Sequence, residues 1–396
     1  MSWPLVKLSE VAEINPRLPK NIDEAQEVTF LPMASISEQG QVLEQEKRIL
    51  GETRKGFTYF EKNDVVVAKI TPCFENGKAA YLDCLETQIG FGTTEFHVIR
   101  ADIEKLDGKY LFYLVWNKWF RHLGERNMSG SAGQKRVPSD FLKDLKIPLP
   151  PLDEQKRIAA ILDKADAIRR KRKQAIQLAD DFLRSVFLDM FGDPVSNPKG
   201  WKKKPLKELT LKLGSGSTPR GGKEAYLEEG ISLIRSLNVH DNKFVHKDLA
   251  FISDTQADKL KNVVIEKDDL LLNITGASVC RATLVDNDIL PARVNQHVCI
   301  IRAKKEKVLP TFLARLITSS SYKQKLMQIA TAGGATREAL TKQQVESLDI
   351  IVPPLDIQEK FMSIVGKVEK LLKISELQSQ KPLFNSLSQK AFAGEL

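Results

Sequence analysis

Three stretches of the chain carry side chains of the kind that do chemistry, and none has the spacing that the chemistry needs. Gly216-Ser217-Thr218-Pro219-Arg220-Gly221-Gly222-Lys223-Glu224 approaches a phosphate-binding loop. Its spacing is wrong, however, and a glutamate follows the lysine where a hydroxyl should meet Mg²⁺, so it reads as a turn-rich loop. A methyltransferase acting on the amino groups of adenine or cytosine would carry an N/D-P-P-Y/F/W motif and a glycine-rich cofactor loop. Here the only Pro-Pro pairs sit in Leu149-Pro150-Pro151-Leu152-Asp153 and Val352-Pro353-Pro354-Leu355-Asp356. Asp140, Asp144 and Lys146 form the one tight group of the nuclease kind, carboxylates beside a lysine that could surround a metal. Cysteines 73, 84, 280 and 299 form no C-x-x-C pair, and the five histidines lack the close spacings of zinc sites. Neither a metal, a cofactor nor a disulfide framework is expected. Nucleophile and base pairs distant in sequence stay open, so a catalytic nuclease or methyltransferase of unusual design is the alternative to a purely binding protein.

What the composition favours is a polyanionic partner. Sixty Lys+Arg against 51 Asp+Glu give a formal charge of +9 and an isoelectric point near 9.1, which suits phosphate neutralisation with release of counterions. No apolar run is long enough to span a bilayer, and Met1-Ser2-Trp3-Pro4 does not open a leader segment. No membrane partner is expected, and the expected location is cytoplasmic.

The elements that must position any such contacts are written twice, at an offset of about 200 residues. Leu145-Lys146-Ile147-Pro148-Leu149-Pro150-Pro151-Leu152-Asp153-Glu154-Gln155 closes a segment that opens near Trp3. Leu348-Asp349-Ile350-Ile351-Val352-Pro353-Pro354-Leu355-Asp356-Ile357-Gln358 closes one that opens near Trp201. Between them Glu61-Lys62-Asn63-Asp64 answers Glu266-Lys267-Asp268-Asp269, and Ile70-Thr71 answers Ile274-Thr275. Further on, Phe96-His97-Val98-Ile99-Arg100-Ala101 answers Val298-Cys299-Ile300-Ile301-Arg302-Ala303, and Gly130 to Gln134 answers Gly333 to Arg337. The Asp140, Asp144 and Lys146 group has Gln343, Ser347 and Asp349 at its second-copy positions, so it reads as surface.

Short Val/Ile/Leu runs between turn residues predict buried strands in each copy, with helices late in each, over Tyr110–Leu123 and Thr311–Ile329. Each copy is predicted to be an α+β unit, a curved sheet with a few helices. After the first copy, Asp153 offers an N-cap, and Ile158, Ile161, Leu162, Ala165 and Ile168 make one apolar stripe. The stripe resumes through Ala175, Ala179, Phe182, Leu183, Val186 and Met190 and stops at Gly192, with Pro194 beyond. About 40 residues make a rod of roughly 60 Å. The second tail has Asp356 and Glu359 in capping-box spacing, then Phe361, Ile364, Val365, Val368, Leu371 and Leu372, with a break expected at Pro382. The two rods are expected to pair antiparallel. The resulting domains are 1–152, first globular unit; 153–194, first spacer helix; 195–355, second globular unit; 356–396, second spacer helix. The run Arg169-Arg170-Lys171-Arg172-Lys173 is either a solvated helix face or a surface for phosphate or an acidic partner.

This order of unit, P-P-L-D-x-Q and helix, given twice, resembles the specificity subunits of type I restriction-modification systems over essentially the whole chain. Phe191-Gly192-Asp193-Pro194, Gly200-Trp201 and Gly216-Ser217-Thr218-Pro219 add local likeness. The first unit departs from it, with Ile14-Asn15-Pro16-Arg17 where the second has the G-x-T-P loop. The resemblance implies two target-recognition domains, each reading one half of a split double-stranded DNA sequence. It also implies helices that set the gap and bind modification (methyltransferase) subunits, two of them, with restriction subunits joining through the complex. Adenine methylation and restriction would then be done by these partners, and the chain itself would not be an enzyme.

Base reading needs forked or amide side chains at a groove, whereas phosphates are met by Lys, Arg, hydroxyls and backbone amides, all best carried on loops. The candidates are Lys69, Thr71, Lys78, Gln134, Lys135 and Arg136 in the first unit. In the second they are Ser217, Thr218, Arg220, Arg235, Asn273, Arg281 and Arg337. For each of them an ordinary surface role is the alternative.

Overall fold

The computed structural model describes residues 3–131, 133–218, 224, 226–332, 338–377 and 383–396. It comprises two compact units, Met1–Lys173 with Leu377–Leu396, and Gln174–Glu376.

The first unit is built on a four-stranded antiparallel sheet in the order Ala12–Ile14, Phe96–Ala101, Val65–Ala68, Ala79–Tyr81. Val65-Val66-Val67-Ala68 is buried throughout because this central strand is covered on both faces. Val65 and Val67 pack with Tyr110 and Leu111 of the helix Gly108–Trp116. Val66 faces the other way, towards Leu31 and Phe60 of a second sheet, Glu46–Ile49, Glu27–Leu31, Ile89–Gly92, Thr58–Glu61. The second unit repeats this plan. Its four-stranded sheet runs Thr210–Ser215, Val298–Ala303, Leu270–Asn273, Ala282–Leu284, with Leu270 and Leu272 against Phe312 and Leu313, and Leu271 against Leu233 and Ile234. The predicted α+β class holds, with two larger sheets in each unit, beside short two-stranded ones, where one curved sheet was expected.

Each late helical stretch is two helices. Gly108–Trp116 and Lys118–Arg126 break at Asn117, whose side chain accepts the Trp119 N–H at 2.8 Å. Pro310–Thr318 and Ser320–Thr331 break at Ser319, whose hydroxyl donates to the Leu316 carbonyl at 2.7 Å. Asn and Ser favour this extended cap conformation over a continued helix.

The first tail is one helix of 40 residues, Leu152–Phe191. It starts a residue before Asp153, which therefore lies in the first turn near the positive helix end and not at the N-cap. It closes on Gly192, φ +75°, whose N–H donates to Leu188 at 2.8 Å. The second tail gives Leu355–Leu377 and Leu383–Ala393, while Pro382 lies outside the described residues. In the first unit, Ile158 and Leu162 are buried, Ile161 is half-buried and Ile168 is 41% exposed. In the second, Leu183, Phe187 and Phe191 carry the buried face, Val186 is half-buried and Phe182 is 51% exposed. The stripe is turned by one residue from expectation because Phe187 stacks on Phe312, with ring centres 5.8 Å apart. Phe361 and Val365 are buried, with Ile364 and Val368 packed beside them.

Each unit is closed by the start of the helix that follows its own Pro-Pro and by the end of the other tail. In the second unit Phe361 meets Phe187 and Phe191 at 5.6 and 5.4 Å. In the first, Phe384 and Phe392 meet Trp116 and Tyr110 at 5.3 and 5.5 Å, and Asn117 donates to Ser388 at 2.7 Å.

The repeated glutamine of P-P-L-D-x-Q is fully buried in both units. The Gln155 carbonyl accepts the Asp107 N–H at 2.8 Å, and its amide donates to Lys105 and Pro150 carbonyls at 2.9 and 2.8 Å. Gln358 accepts from Leu309 at 2.8 Å and donates to Pro353 at 2.8 Å. The motif thus joins each helix to its sheet-and-helix core. Each buried backbone group left without a partner costs about 1–3 kcal/mol, so Gln155→Ala should lower the stability of the first unit by that order or more. Urea unfolding followed by tryptophan fluorescence tests this, since Trp3, Trp116 and Trp119 belong to that unit. A change within ~0.5 kcal/mol, the range of ordinary surface substitutions, would remove Gln155 from the joint.

Candidate nucleic-acid interface

The loops that carry the candidates leave the ends of two paired strands in each unit. At the far ends those strands are pinned by a buried ion pair. Arg100 donates from Nε and Nη2 to the two Asp64 oxygens, both at 2.8 Å, and from Nη1 to Glu61 at 2.9 Å. Arg302 repeats this with Asp269, again at 2.8 Å twice, and with Glu266. Asp64 and Asp269 are 1% and 0% exposed. Each also accepts the N–H of the glutamate three residues before it, at 2.7 and 2.8 Å, across a turn that needs left-handed backbone at Asn63 and Asp268.

In the first unit the pinned strands deliver Ala68 and Phe96 to the same place. Just beyond, Lys69 N–H donates to the Glu95 carbonyl and Lys69 carbonyl accepts from Val137, both at 2.9 Å. Thr71 N–H donates to the Lys135 carbonyl at 2.9 Å, and Arg136 bridges to both Ile70 and Ser129. The hairpin around Gly130 and Gly133 is thereby laid against the Lys69–Thr71 segment. Five of the six first-unit candidates, Lys69, Thr71, Gln134, Lys135 and Arg136, come together there. Lys78 pairs by its carbonyl with Ala68, but its ammonium turns to the Met33 carbonyl at 2.9 Å. Thr71 is occupied too, donating to Glu75 at 2.6 Å.

Arg136 is held by Glu95, a residue the sequence did not single out. Nε and Nη2 donate to the two carboxylate oxygens at 2.9 and 2.8 Å, and Nη1 donates to the Gln134 carbonyl at 3.2 Å. The guanidinium holds the Glu95 carboxyl below its ordinary value of 4.5, against the opposing effect of burial. The pair is therefore complete above the ordinary glutamate range and is lost only as pH falls below it. Behind it His97 is buried, and burial pushes its imidazole below 6.5. Its Nε2 lies 2.8 Å from the Val137 carbonyl and so carries the proton, which leaves Nδ1 to accept from Asn15 at 3.2 Å. The Asn15 side-chain oxygen accepts from Val98 N–H at 3.0 Å, so the Ile14-Asn15-Pro16-Arg17 loop is tied to the same corner.

The second unit reproduces the backbone with different side chains. Ile274 N–H donates to His297, Leu340 N–H to Ile274, and Thr275 bridges to Ala339. By these bonds Lys69 corresponds to Ile274, Ile70 to Thr275, Glu95 to His297 and Arg136 to Ala339. The register of Ile70-Thr71 against Ile274-Thr275 read from the sequence is therefore shifted by one. Gly216 N–H donates to the Asn295 carbonyl at 3.1 Å. Thr218 bonds to Gln296, Gln296 to His297 at 3.1 Å, and His297 to Thr275, a line of hydroxyl, amide and imidazole groups at the opening of the G-x-T-P loop. Ser217 is exposed next to it. Arg235 lies over Tyr226 and donates to the Asp248 carbonyl. Arg281 is half-buried in the turn after Ser278. Asn273, expected at the surface, is instead fully buried, donating to Ser236 and Ser278 at 2.9 and 3.1 Å inside the unit, and has no surface to offer a duplex. Arg220 and Arg337 lie outside the described residues. Among the described residues no group of three or more His, Cys, Asp or Glu could hold a metal ion, and no helix is long and apolar enough to cross a membrane. Asp140 and Asp144 pair with Lys143 and Lys7.

Gln296, His297 and Glu95 immediately precede the strands recognised as repeated in the sequence, and the alignment Val-Asn-Gln-His-Val against Gly-Thr-Thr-Glu-Phe was the available signal.

A Cβ on Gly216 would stand 1.8 Å from the Val294 carbonyl oxygen, whereas one on Gly214, two residues earlier, would meet nothing within 4 Å. Gly216→Ala should therefore cost about 1–3 kcal/mol or more through overpacking, and Gly214→Ala should stay within ~0.5 kcal/mol. Thermal melting of the two variants checks this, and equal melting temperatures would show that the loop has room to move.

A family model described as Type I restriction modification DNA specificity domain matches residues 2–178 and 198–383. The Type I restriction enzyme EcoEI specificity subunit of Escherichia coli is 43% identical over 163 residues, 41% of this chain and 27% of that subunit. The EcoAI specificity subunit of the same species is 45% identical over 157 residues, 39% of this chain and 26% of that one. The match spans about a quarter of the length of these two curated relatives. In fold the chain is similar to the crystal structure of the type I restriction-modification system S subunit from M. genitalium, TM-score 0.60 at 17% identity, over 98% of this chain and 96% of that one. With both units matched by the same family model, the chain belongs to the type I restriction modification DNA specificity domain family.

Proposed function

We propose that this chain selects a two-part DNA sequence, one part by each globular unit, for other subunits to methylate and cut, and performs no chemistry itself. The observation that carries this reading is the pair of matching scaffolds with different side chains at one corner. Arg136 and Glu95 stand in one unit where Ala339 and His297 stand in the other, on the same backbone hydrogen bonds. Two like frames with unlike tips suit two unlike half-sites. Lys69 and Lys135, which make no side-chain hydrogen bond or ion pair among the described residues, supply phosphate contacts. Arg136, Gln134, Thr71, Lys78, Ser217, Thr218, Arg235 and Arg281 are the remaining described candidates, to which Arg220 and Arg337 are added from sequence. The partners are double-stranded DNA, two modification subunits that methylate adenine and bind along the helices, and restriction subunits that join through them; the location is cytoplasmic. The working boundaries are 1–152 and 195–355 for the reading domains and 153–194 and 356–396 for the spacers.

Replacing residues 1–152 by the same unit of a relative should change one half of the recognised sequence and leave the other intact. Sequencing of methylated positions in DNA modified by the assembled complex reads this directly. If both halves change together, independent reading is wrong.

The 40-residue helix also suits a ruler between half-sites. Four residues inserted near Gln177 and matched in the second tail would add about 6 Å and roughly one helical turn, nearly two base pairs at ~3.4 Å each. The expected result is a spacer one or two base pairs longer with both half-sequences kept. A folded, active complex retaining the original spacer would deny the helices that role.

A further inference from the structure

We propose that Glu95 is a positioning residue for base reading: it holds Arg136 so that the guanidinium meets a guanine end-on, through Nη1 and Nη2. This rests on the DNA-reading function proposed above.

Arginine has five N–H donors in a fixed plane. Glu95 takes one from Nε and one from Nη2, and the Gln134 carbonyl takes one from Nη1. One hydrogen remains on each Nη, which leaves the end of the fork as the pair available to a ligand. Two such donors match O6 and N7 of guanine in the major groove. The Arg136 side chain is 43% exposed and Glu95 25%, so the fork is reachable while its clamp is largely covered. Gly133 beside it has open space where a Cβ would stand, which leaves room for close approach.

Charge separates this from a phosphate contact. Paired with a carboxylate, Arg136 has little net attraction for a phosphate but keeps its hydrogen-bond pattern, so direction is retained and attraction is not. The fold does not need the pair. With His297 and Ala339 in these places the second unit makes the same backbone bonds, Ile274 to His297 and Leu340 to Ile274. An exposed ion pair also adds little to stability.

The test uses the full chain assembled with its modification subunits and a DNA library with randomised half-sites, at several salt concentrations. Wild type should select a guanine at one position of the half-site read by residues 1–152, and Arg136→Ala should lose that preference alone. Glu95→Gln should lower the preference at the same base pair by about tenfold while steepening the slope of log affinity against log salt by about 0.9, as the released cation finds a phosphate. In the Arg136→Ala background, Glu95→Gln should do nothing more, an outcome that a merely structural role would not give. An unchanged preference in Glu95→Gln, or an effect that persists without Arg136, overturns the positioning role while leaving the DNA-reading function standing. A wild-type complex that selects no sequence overturns both.

Discussion

Both units hang on a carboxylate removed from water. Asp64 and Asp269 are buried, and a buried charge stripped of its partner costs about 3–5 kcal/mol, so the guanidinium of Arg100 or Arg302 must lie opposite. That requirement sets the register of two antiparallel strands, Val65 against Ile99 and Leu270 against Ile301. A slip of one residue would send Val66 and Leu271 to the wrong layer and part the charges at once. The far ends of the same strands then fall in fixed places, and the loops that leave them, Lys69 to Thr71 and Ile274 to Gly276, inherit that placement.

Inside this frame the two units are nearly interchangeable. The buried glutamines, the left-handed turns at Asn63 and Asp268 and the central apolar strand recur with corresponding partners, and the helix break recurs at Asn117 and Ser319 with different side-chain bonds. They differ in the second sheet, which has four strands in the first unit and three in the second, and again at the outer corner. A charged fork on a carboxylate occupies one corner and a line of hydroxyl, amide and imidazole groups the other, and neither alters a backbone hydrogen bond in the layer beneath. The atoms that hold the frame together and the atoms that differ at the corner are thus separate sets.

The sequence displayed the interior better than the corner. Periodicity and repetition are consequences of burial, so the duplicated α+β unit and the long helix could be read directly. P-P-L-D-x-Q was visible as a pattern, but the reason for its glutamine lay in carbonyls of Lys105 and Lys307, some 50 residues away in the chain. The helix breaks were missed because Asn117 and Ser319 interrupt no apolar stripe. Asn273 was read as a contact because an amide near a loop suits DNA, while its burial follows from its place at the end of a central strand, which the chain order does not show. Glu95 was passed over for the opposite reason: an acid looks misplaced beside DNA until the arginine it orients is seen.

The aromatic lid of the first unit has a temporal consequence. Phe384, Ala391 and Phe392 complete a core whose other members, from Leu8 to Leu162, leave the ribosome far earlier. The second unit, by contrast, is complete once residue 376 has been made. The part of the chain synthesised first is therefore the part that finishes folding last, and until its final helix emerges Tyr110, Tyr113 and Trp116 present an uncovered greasy face. Chains that end after residue 376 and before Leu383 would hold a finished second unit and an open first one, the species on which chaperones and proteases would act.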